Sequence, residues 1–442
     1  MRDWSPELVA QAAGVQLVAA PRDPDPAAPS GPARVIIDSR AVAPGDLFVG
    51  LAGSNVDGGR FAAQALDAGA WGVLVTPDHA HHDRFTKAGV ILETDDPLAG
   101  LQALARSWRR ALGAQVIAIT GSTGKTSTKD ILAAMLAPHV RVVASAENFN
   151  TEIGLPLSIL AAPAGTEVLV LEMAMRGTGQ IAELAAIAEP DVGVIVNVGP
   201  VHLELLGSLE AIAAAKAELL ADLHAGATAI LPAQEPLLEA HRRDDLHTVT
   251  FGPGGDVAEL GDELELPFSS RHMRSNALAA LAAARAVGVT PRGRLEVQLS
   301  ALRGQRIELP GPVLVIDDCY NANPMSMRAA LDDLAESASG RRVAVLGDML
   351  ELGPGEARFH EEIGTYAQEC GVDVLICVGP LAARIGSSFD GRDDAVHAVA
   401  DAAAAAALAT ELVAPGDTVL VKGSRGVGLE VVAQALREAR DG

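Results

Sequence analysis

Lys125 and Thr126 close a glycine turn, Gly121-Ser122-Thr123-Gly124, and Ser127 opens a helix-compatible segment behind them. Residues of these types at this spacing can do phosphate chemistry. The two glycines let the backbone curl with its N–H groups pointing inward. A helix N-terminus adds partial positive charge. The lysine can neutralise β- and γ-phosphate oxygens, and the threonine hydroxyl can ligate Mg²⁺. The surroundings fit, because β-prone Val116–Thr120 runs in and Ser127–Leu136 reads as helix. A full Walker pattern has glycine where Ile119 stands, so this is the shorter GxxGKT form.

Other residues could complete such a site. Glu172 ends the apolar run EVLVLE, where a carboxylate beside a phosphate loop commonly anchors Mg²⁺; a solvated strand-end acid is the plainer reading. His202 follows a strand and a Gly-Pro turn, as a ligand or as a structural histidine. Lys216 lies among alanines. Held against apolar surface, it would lose its charge easily and become a neutral nucleophile; otherwise it is a surface lysine paired with an acid such as Asp222. Arg303 beside Gly304 could reach a phosphate between domains, with Arg306 as rival. Asp317, Asp318, Tyr320, Asn321 and Asn323 follow one strand, and Lys422, Ser424 and Arg425 another. Both loops suit polar ligand groups or simple turn chemistry. His79, His81 and His82 read as loop rather than metal cluster.

These residues need elements to hold them. The proline-rich stretch 21–32 reads as loop. Strands at Val35–Ile37, Leu47–Val49 and Trp71–Val75, with helices Phe61–Ala68 and Leu98–Leu112, make a first unit. A second alternates strands Val116–Thr120, Arg141–Ala144, Glu167–Glu172 and Val192–Asn197 with helices Ser127–Leu136, Thr178–Ala188 and Ser208–Leu223, then helix Ser275–Val287. A third has strands Val313–Asp317, Arg341–Leu346, Val372–Val378 and Asp417–Val421, with helices Ser326–Ala338, Glu356–Glu369, His397–Leu412 and Gly428–Arg440. Such alternation predicts mostly parallel sheets, α/β in class, with ligands at the carboxyl ends of the strands. The phosphate loop, Glu172 and Asn197 then share one rim.

Composition narrows the function. The chain has 442 residues, room for roughly two to four domains. A net charge of −23 argues against nucleic acid or an anionic membrane as partner, and leaves local Lys and Arg to hold any anionic substrate. No apolar run reaches the ~18–20 residues of a membrane span. The start lacks the pattern of a signal peptide, and three cysteines without metal spacing fit reduced thiols in a cytosol.

Taken together, the motifs resemble the Mur ligases of bacterial cell-wall synthesis over essentially the whole chain. The resemblance rests on DSRAVAPGDLFVGLAG, TGSTGKTSTKD, ENFNTEIGLPL, LEMAMRG, NVGPVHLELLGS, AAAKAEL, IDDCYNANPMSM, LGDMLELG and KGSRGVGLE, in family order. IDDCYNANP and LGDMLELG point to the branch that adds D-alanyl-D-alanine. The resemblance implies three domains: an N-terminal α/β UDP-sugar-binding domain (1–113), a central ATP-binding phosphate-loop domain (114–309) and a C-terminal Rossmann-like domain (310–442). It implies a monomeric cytoplasmic enzyme using ATP and Mg²⁺, with UDP-N-acetylmuramoyl-tripeptide and D-alanyl-D-alanine as substrates. ATP would phosphorylate the tripeptide carboxylate, and the dipeptide amine would attack the acyl phosphate.

By the same resemblance, Thr126 and Glu172 hold one Mg²⁺ and His202 a second. Lys216 matches a lysine that is carbamylated in several members. Asn276 reads adenine, Asp318 and Tyr320 meet ribose and phosphates, and Arg303 meets the terminal phosphates. Ser39 and Arg40 contact the UDP-sugar, and Asn150 and Thr151 the muramoyl part. Asn323 lies on the substrate side, and Lys422, Ser424 and Arg425 are candidates for the peptide carboxylates. The chain departs from the family at His272-Met273-Arg274-Ser275-Asn276, where HNxxN is usual, at Asp57-Gly58-Gly59 in place of DGH, and at Asn150-Thr151 in place of a double asparagine. Two other readings stand beside this one: a sibling ligase adding a single amino acid, and a non-catalytic nucleotide-binding scaffold. Retention of Lys125, Glu172 and His202 weighs against the scaffold.

Overall fold

The computed structural model describes residues 1–21, 30–81, 89–146, 148–268, 270–390 and 395–441. Three main sheets organise them. The first runs Gln16–Ala19, Val90–Glu93, Gly72–Val75, Leu47–Val49, Val35–Ile36, parallel except where Gln16–Ala19 pairs antiparallel with Val90–Glu93. The central sheet is six-stranded and wholly parallel, in the order His247–Phe251, Thr228–Pro232, Val192–Ile195, Gln115–Thr120, Val168–Glu172, Val142–Ala144. The third runs Gln305–Leu309, Val313–Asp317, Thr418–Lys422, Arg342–Gly347, Val374–Val378, Val396–Val399, parallel after its first antiparallel pair.

Helices cover both faces of the central sheet, so its strands are continuously apolar rather than alternating. Val116, Ile117, Ala118 and Ile119 are all fully buried. Each such branched side chain contributes about 1.5–3 kcal/mol. Gln115–Thr120 has Val168–Glu172 on one side and Val192–Ile195 on the other. Its carboxyl end is therefore the point where the strand order changes direction, the crevice where α/β sheets bind ligands.

The units are joined differently. One apolar cluster runs from Val9, Leu104 and Trp108 of the first unit through Leu155, Ile181 and Leu219 of the second. Trp108 also donates its indole N–H to the carbonyl of Ala162 at 2.9 Å. The third unit keeps two cores of its own, around Val345 and around Leu346. It meets the central unit where helix Pro324–Ser337 lies beside helix Arg271–Ala286 and where the 3₁₀ turn Gly353–Gly355 lies on helix Leu203–Leu206.

Several expected boundaries move. The helix after the phosphate loop is Lys125–Leu136, with Gly124 as N-cap, so Lys125 and Thr126 form its first turn. Helix Arg271–Ala286 starts before the expected Ser275 and carries His272 and Asn276 on its opening turns. The expected helix His397–Leu412 is a strand, Val396–Val399, followed by helix Ala402–Leu412; Asp401 caps the helix by accepting from Ala404 N–H at 2.9 Å. Alanine-rich sequence hid that break. The boundary expected at 309/310 falls inside a hairpin, because Gln305–Leu309 pairs with Val313–Asp317 in the third sheet. Sequence reading missed strands Thr228–Pro232 and His247–Phe251, which extend the central sheet. His79 forms an ion pair with Asp57 at 2.9 Å, and His82 lies outside the described residues.

Candidate active site

A cavity of about 1700 Å³ opens where the three units meet. Its wall includes Ser122 to Ser127, Asn150, Thr151, Glu172, Asn197, His202, Asn276, Arg303, Asp318, Tyr320, Asn323 and Lys422. Ile37 and Asp38 of the first unit line it too, so residues from all three units converge on one space.

The phosphate loop is braced from the next strand. Asn197 accepts the N–H groups of Ser122 and Thr123 through its side-chain oxygen, at 3.1 and 2.9 Å, and donates to the carbonyl and hydroxyl of Thr123. Ser122 Oγ donates to the carbonyl of Gly199 at 3.0 Å. Gly124 has φ +74°, and a Cβ there would lie 2.4 Å from Oδ1 of Asn276. The missing side chain is what lets Asn276, itself buried, close on the loop.

Lys125 folds back and donates to the carbonyl of Gly121 at 2.8 Å. Burial pushes its ammonium below the usual lysine range; Glu172 opposes the shift and Arg303 adds to it. Burial also lowers the His202 imidazole, against the pull of Glu351 and with the help of Lys125 and Lys216. Lys216 is 2% exposed, pairs with no carboxylate among the described residues, and is driven well below the lysine range by burial and by Lys125. The expected alternative, a surface lysine paired with Asp222, is not what the fold makes of it. Charge on Lys125 thus disfavours charge on both His202 and Lys216, which shows that the three lie close enough to act on one ligand.

Glu172 is 1% exposed. Asn150 donates to its Oε1 at 2.8 Å, while its buried Oε2 has no partner. A buried, unpartnered carboxylate oxygen near the Thr126 hydroxyl turn is a donor set for a hard cation that takes its remaining ligands from phosphate and water. Among the described residues no group of three His, Cys, Asp or Glu could hold a metal by itself.

The third unit adds a cationic wall. The Arg303 guanidinium lies 3.8 Å from the Tyr320 ring centroid and is positioned by that stacking. Arg306, its rival in the sequence, turns away to pair with Asp333 at 2.8 Å. Lys422 is buried and donates to Asp318 Oδ2 at 2.6 Å and to the Asn321 carbonyl at 3.1 Å. Asn323 caps helix Pro324–Ser337. Met325 then leans onto the phosphate loop, where its sulfur accepts from Thr123 Oγ1 at 3.4 Å.

Other expected residues lie off the cavity wall. Arg40 is 86% exposed and forks onto Asp38 at 2.9 and 2.7 Å, with Ser39 beside it in a short 3₁₀ turn. Ser424 is buried and accepts from Leu350 N–H at 3.0 Å. Arg425 pairs with Glu430 at 3.5 Å, its guanidinium 6.0 Å from the Tyr320 ring. Sequence reading also passed over two charged groups. Arg176 lines the cavity, and Glu351 pairs with both Arg176 and His202. Both sit inside quoted motifs, LEMAMRG and LGDMLELG, but nothing in their spacing says that they meet.

Three family models match in chain order: Mur ligase family, catalytic domain, at residues 33–109; Mur ligase middle domain at 119–284; and Mur ligase, glutamate ligase domain, at 302–425. The chain is 38% identical to the UDP-N-acetylmuramoyl-tripeptide–D-alanyl-D-alanine ligase of Synechocystis sp., over 91% of this chain and 92% of that one. Its fold is similar to crystal structures of MurF from Acinetobacter baumannii (TM-score 0.85, 28% identity, 98% of this chain and 99% of that one). It is likewise similar to the MurF ligase of Thermotoga maritima in complex with ADP (TM-score 0.79, 31% identity, 92% and 98%). With its three segments matched in order around one shared cavity, this chain belongs to the Mur ligase family.

Proposed function

We propose that this enzyme joins D-alanyl-D-alanine to the terminal carboxylate of UDP-N-acetylmuramoyl-tripeptide at the expense of ATP, in peptidoglycan precursor synthesis. The observation that carries the reading is the cavity itself: a phosphate loop, an unpartnered buried carboxylate oxygen and the cations of a third unit face one space. Curated relatives that this chain resembles along most of its length carry that activity in their names, and a similar ligase holds ADP.

The tripeptide carboxylate attacks the γ-phosphorus of ATP, and ADP leaves. The dipeptide amine then attacks the acyl carbon, loses a proton and expels phosphate through a tetrahedral intermediate. Bringing a carboxylate up to a triphosphate costs Coulomb energy, which Lys125 and Arg303 offset at the phosphates. The loop N–H groups, held in shape by Asn197, fix the phosphate chain. Asn276 reads adenine, while Asp318 and Tyr320 flank the ribose and phosphates. Asn150 and Thr151 face the muramoyl part, with Ser39 and Arg40 reaching the UDP-sugar. Lys422, Ser424 and Arg425 serve the peptide carboxylates. Mg²⁺, held by Thr126 and Glu172 and at a second position by His202, would neutralise phosphate charge. Burial and Lys125 disfavour the ammonium form of Lys216, which favours the free amine that a carbamate requires. Closure of the third unit keeps water from the acyl phosphate.

We place UDP-sugar binding in the first unit, nucleotide binding in the central unit and closure in the third unit, whose sheet begins with Gln305–Leu309, and the enzyme in the cytoplasm as a monomer. No described helix is long and apolar enough to cross a membrane. The test is phosphate release from ATP with UDP-muramoyl tripeptide, comparing D-alanyl-D-alanine, single amino acids and no amine. Release with the dipeptide alone, with a product of matching mass, is expected. Release only with a single amino acid would reassign the nucleophile. None with any amine, while ATP still binds, would make the chain a scaffold.

A further inference from the structure

The loop after strand Arg342–Gly347 is held by its own unit and then leaves it. The carbonyl of Asp348 accepts from Ser424 N–H at 3.0 Å. The N–H of Met349 donates to Nε2 of buried His360 at 2.9 Å, and that of Leu350 to Ser424 Oγ at 3.0 Å. At Glu351 the backbone turns to φ +64°, a conformation that side chains other than glycine rarely adopt. From there the loop lies on the central unit. Glu351 Oε2 is 2.5 Å from His202 Nδ1, Oε1 is 3.7 Å from Arg176, and the Glu351 carbonyl faces Glu204 N–H at 3.4 Å. Gly353 follows at φ +67°, where a Cβ would come 3.1 Å from Cα of Glu204. His202 is itself in the left-handed region, at φ +53°. Two strained residues from different units meet through one short hydrogen bond.

A carboxylate only accepts, so His202 donates from Nδ1. That leaves Nε2 as the ring nitrogen open to a ligand in the cavity that His202 lines. We infer that Glu351 is a positioning residue that couples docking of the third unit to presentation of His202. When the loop is seated, the imidazole is fixed in one tautomer and one orientation. When the unit swings away, the His202 ring loses its only hydrogen-bond partner among the described residues and the site is incomplete. Among the described residues, two of the four non-glycine residues with positive φ, His202 and Glu351, thus lie on this one contact. The catalytic consequence rests on the ligase reading; the docking contact does not.

The test uses the full-length chain and two readouts. Small-angle scattering without nucleotide compares wild type with Glu351→Ala, Glu351→Gln and Gly353→Ala. Glu351→Ala and Gly353→Ala are expected to show a larger radius of gyration. Glu351→Gln, whose amide oxygen still accepts from Nδ1, should scatter as wild type. In the phosphate-release assay, Glu351→Ala should lose kcat by roughly 10–100-fold and need a higher Mg²⁺ concentration, with KM for ATP nearly unchanged. Glu351→Gln should recover part of kcat. Wild-type scattering from both Glu351→Ala and Gly353→Ala would overturn the inference, as would an unshifted Mg²⁺ requirement in Glu351→Ala. Gly353→Ala keeps the docking test available should Glu351→Ala fail to fold. Failure of the ligase reading would show separately, as wild type that releases no phosphate with the dipeptide.

Discussion

Asn150 holds one oxygen of the Glu172 carboxylate at 2.8 Å and leaves the other buried and unpartnered. The pair joins the loop expected to face the muramoyl group to the strand end expected to face the metal. An unsatisfied buried carboxylate oxygen costs stability unless a ligand completes it. Glu172→Gln should therefore be at least as stable as wild type without ligands, by melting temperature. Its phosphate release should fall about 100-fold or more and require more Mg²⁺. An unchanged Mg²⁺ titration would assign the metal elsewhere.

Lys125 is half-buried, and burial lowers its pKa, so it is held at a cost to stability and serves the ligand. Lys125→Ala should melt no lower than wild type. Phosphate release should drop by about 10²–10³-fold, the usual effect of removing one donor from a charge-stabilising site. Turnover near wild type would remove Lys125 from the reaction.

Lys216 sits among apolar side chains with its amine pushed toward neutrality. If that amine carries a carbamate, Lys216→Ala should be inactive and partly rescued by short carboxylic acids, which place an anion in the vacated space. A folded variant without rescue would leave the lysine a different role.

Gly124 combines φ +74° with Asn276 Oδ1 only 2.4 Å from where a Cβ would stand. Gly124→Ala must strain the backbone by about 1–2 kcal/mol and push Asn276 away. ADP affinity, measured by calorimetry, should weaken about tenfold or more. Wild-type affinity would show that the loop and Asn276 can separate without loss.

His360 makes stability depend on pH. Its Nδ1 donates to the Glu356 carbonyl at 2.7 Å and its Nε2 accepts from Met349 N–H, so the folded protein holds it neutral. Burial lowers its pKa from the ordinary 6.5. Below that value the unfolded chain takes up a proton that the folded chain refuses. The His360 contribution is thus intact above pH 6.5 and is lost as pH falls toward the lower folded value. His360→Leu should be less stable at neutral pH, yet its melting temperature should fall less steeply between pH 7 and 5. Parallel curves would assign the acid sensitivity to other groups.

Local chemistry made much of this protein legible in the sequence. The apolar run Gln115–Thr120, the glycine turn and the helix behind it follow from backbone freedom and periodicity within a few residues. Alternating strands and helices likewise specify parallel sheets, and parallel sheets place their loops on one rim. Glu172 could be picked out because it ends a strand. Short-range signals fail where neighbours in sequence say nothing about neighbours in space. The alanine-rich stretch after Ala395 hid a strand, because alanine favours helix whatever the sheet beside it demands. Arg306 stood as rival to Arg303 in the sequence; the fold pairs Arg306 with Asp333 and leaves Arg303 on Tyr320. Nor could the lowered pKa of Lys216 be read from its alanines alone, since it depends on its burial in the fold and on Lys125 nearby. The sequence alone thus determined most of the elements, the fold class and the phosphate loop, because these depend on local backbone preference and the period of apolar residues. Only the tertiary structure decided that Glu351 meets His202, 149 residues apart, because that contact depends on how two separately cored units dock.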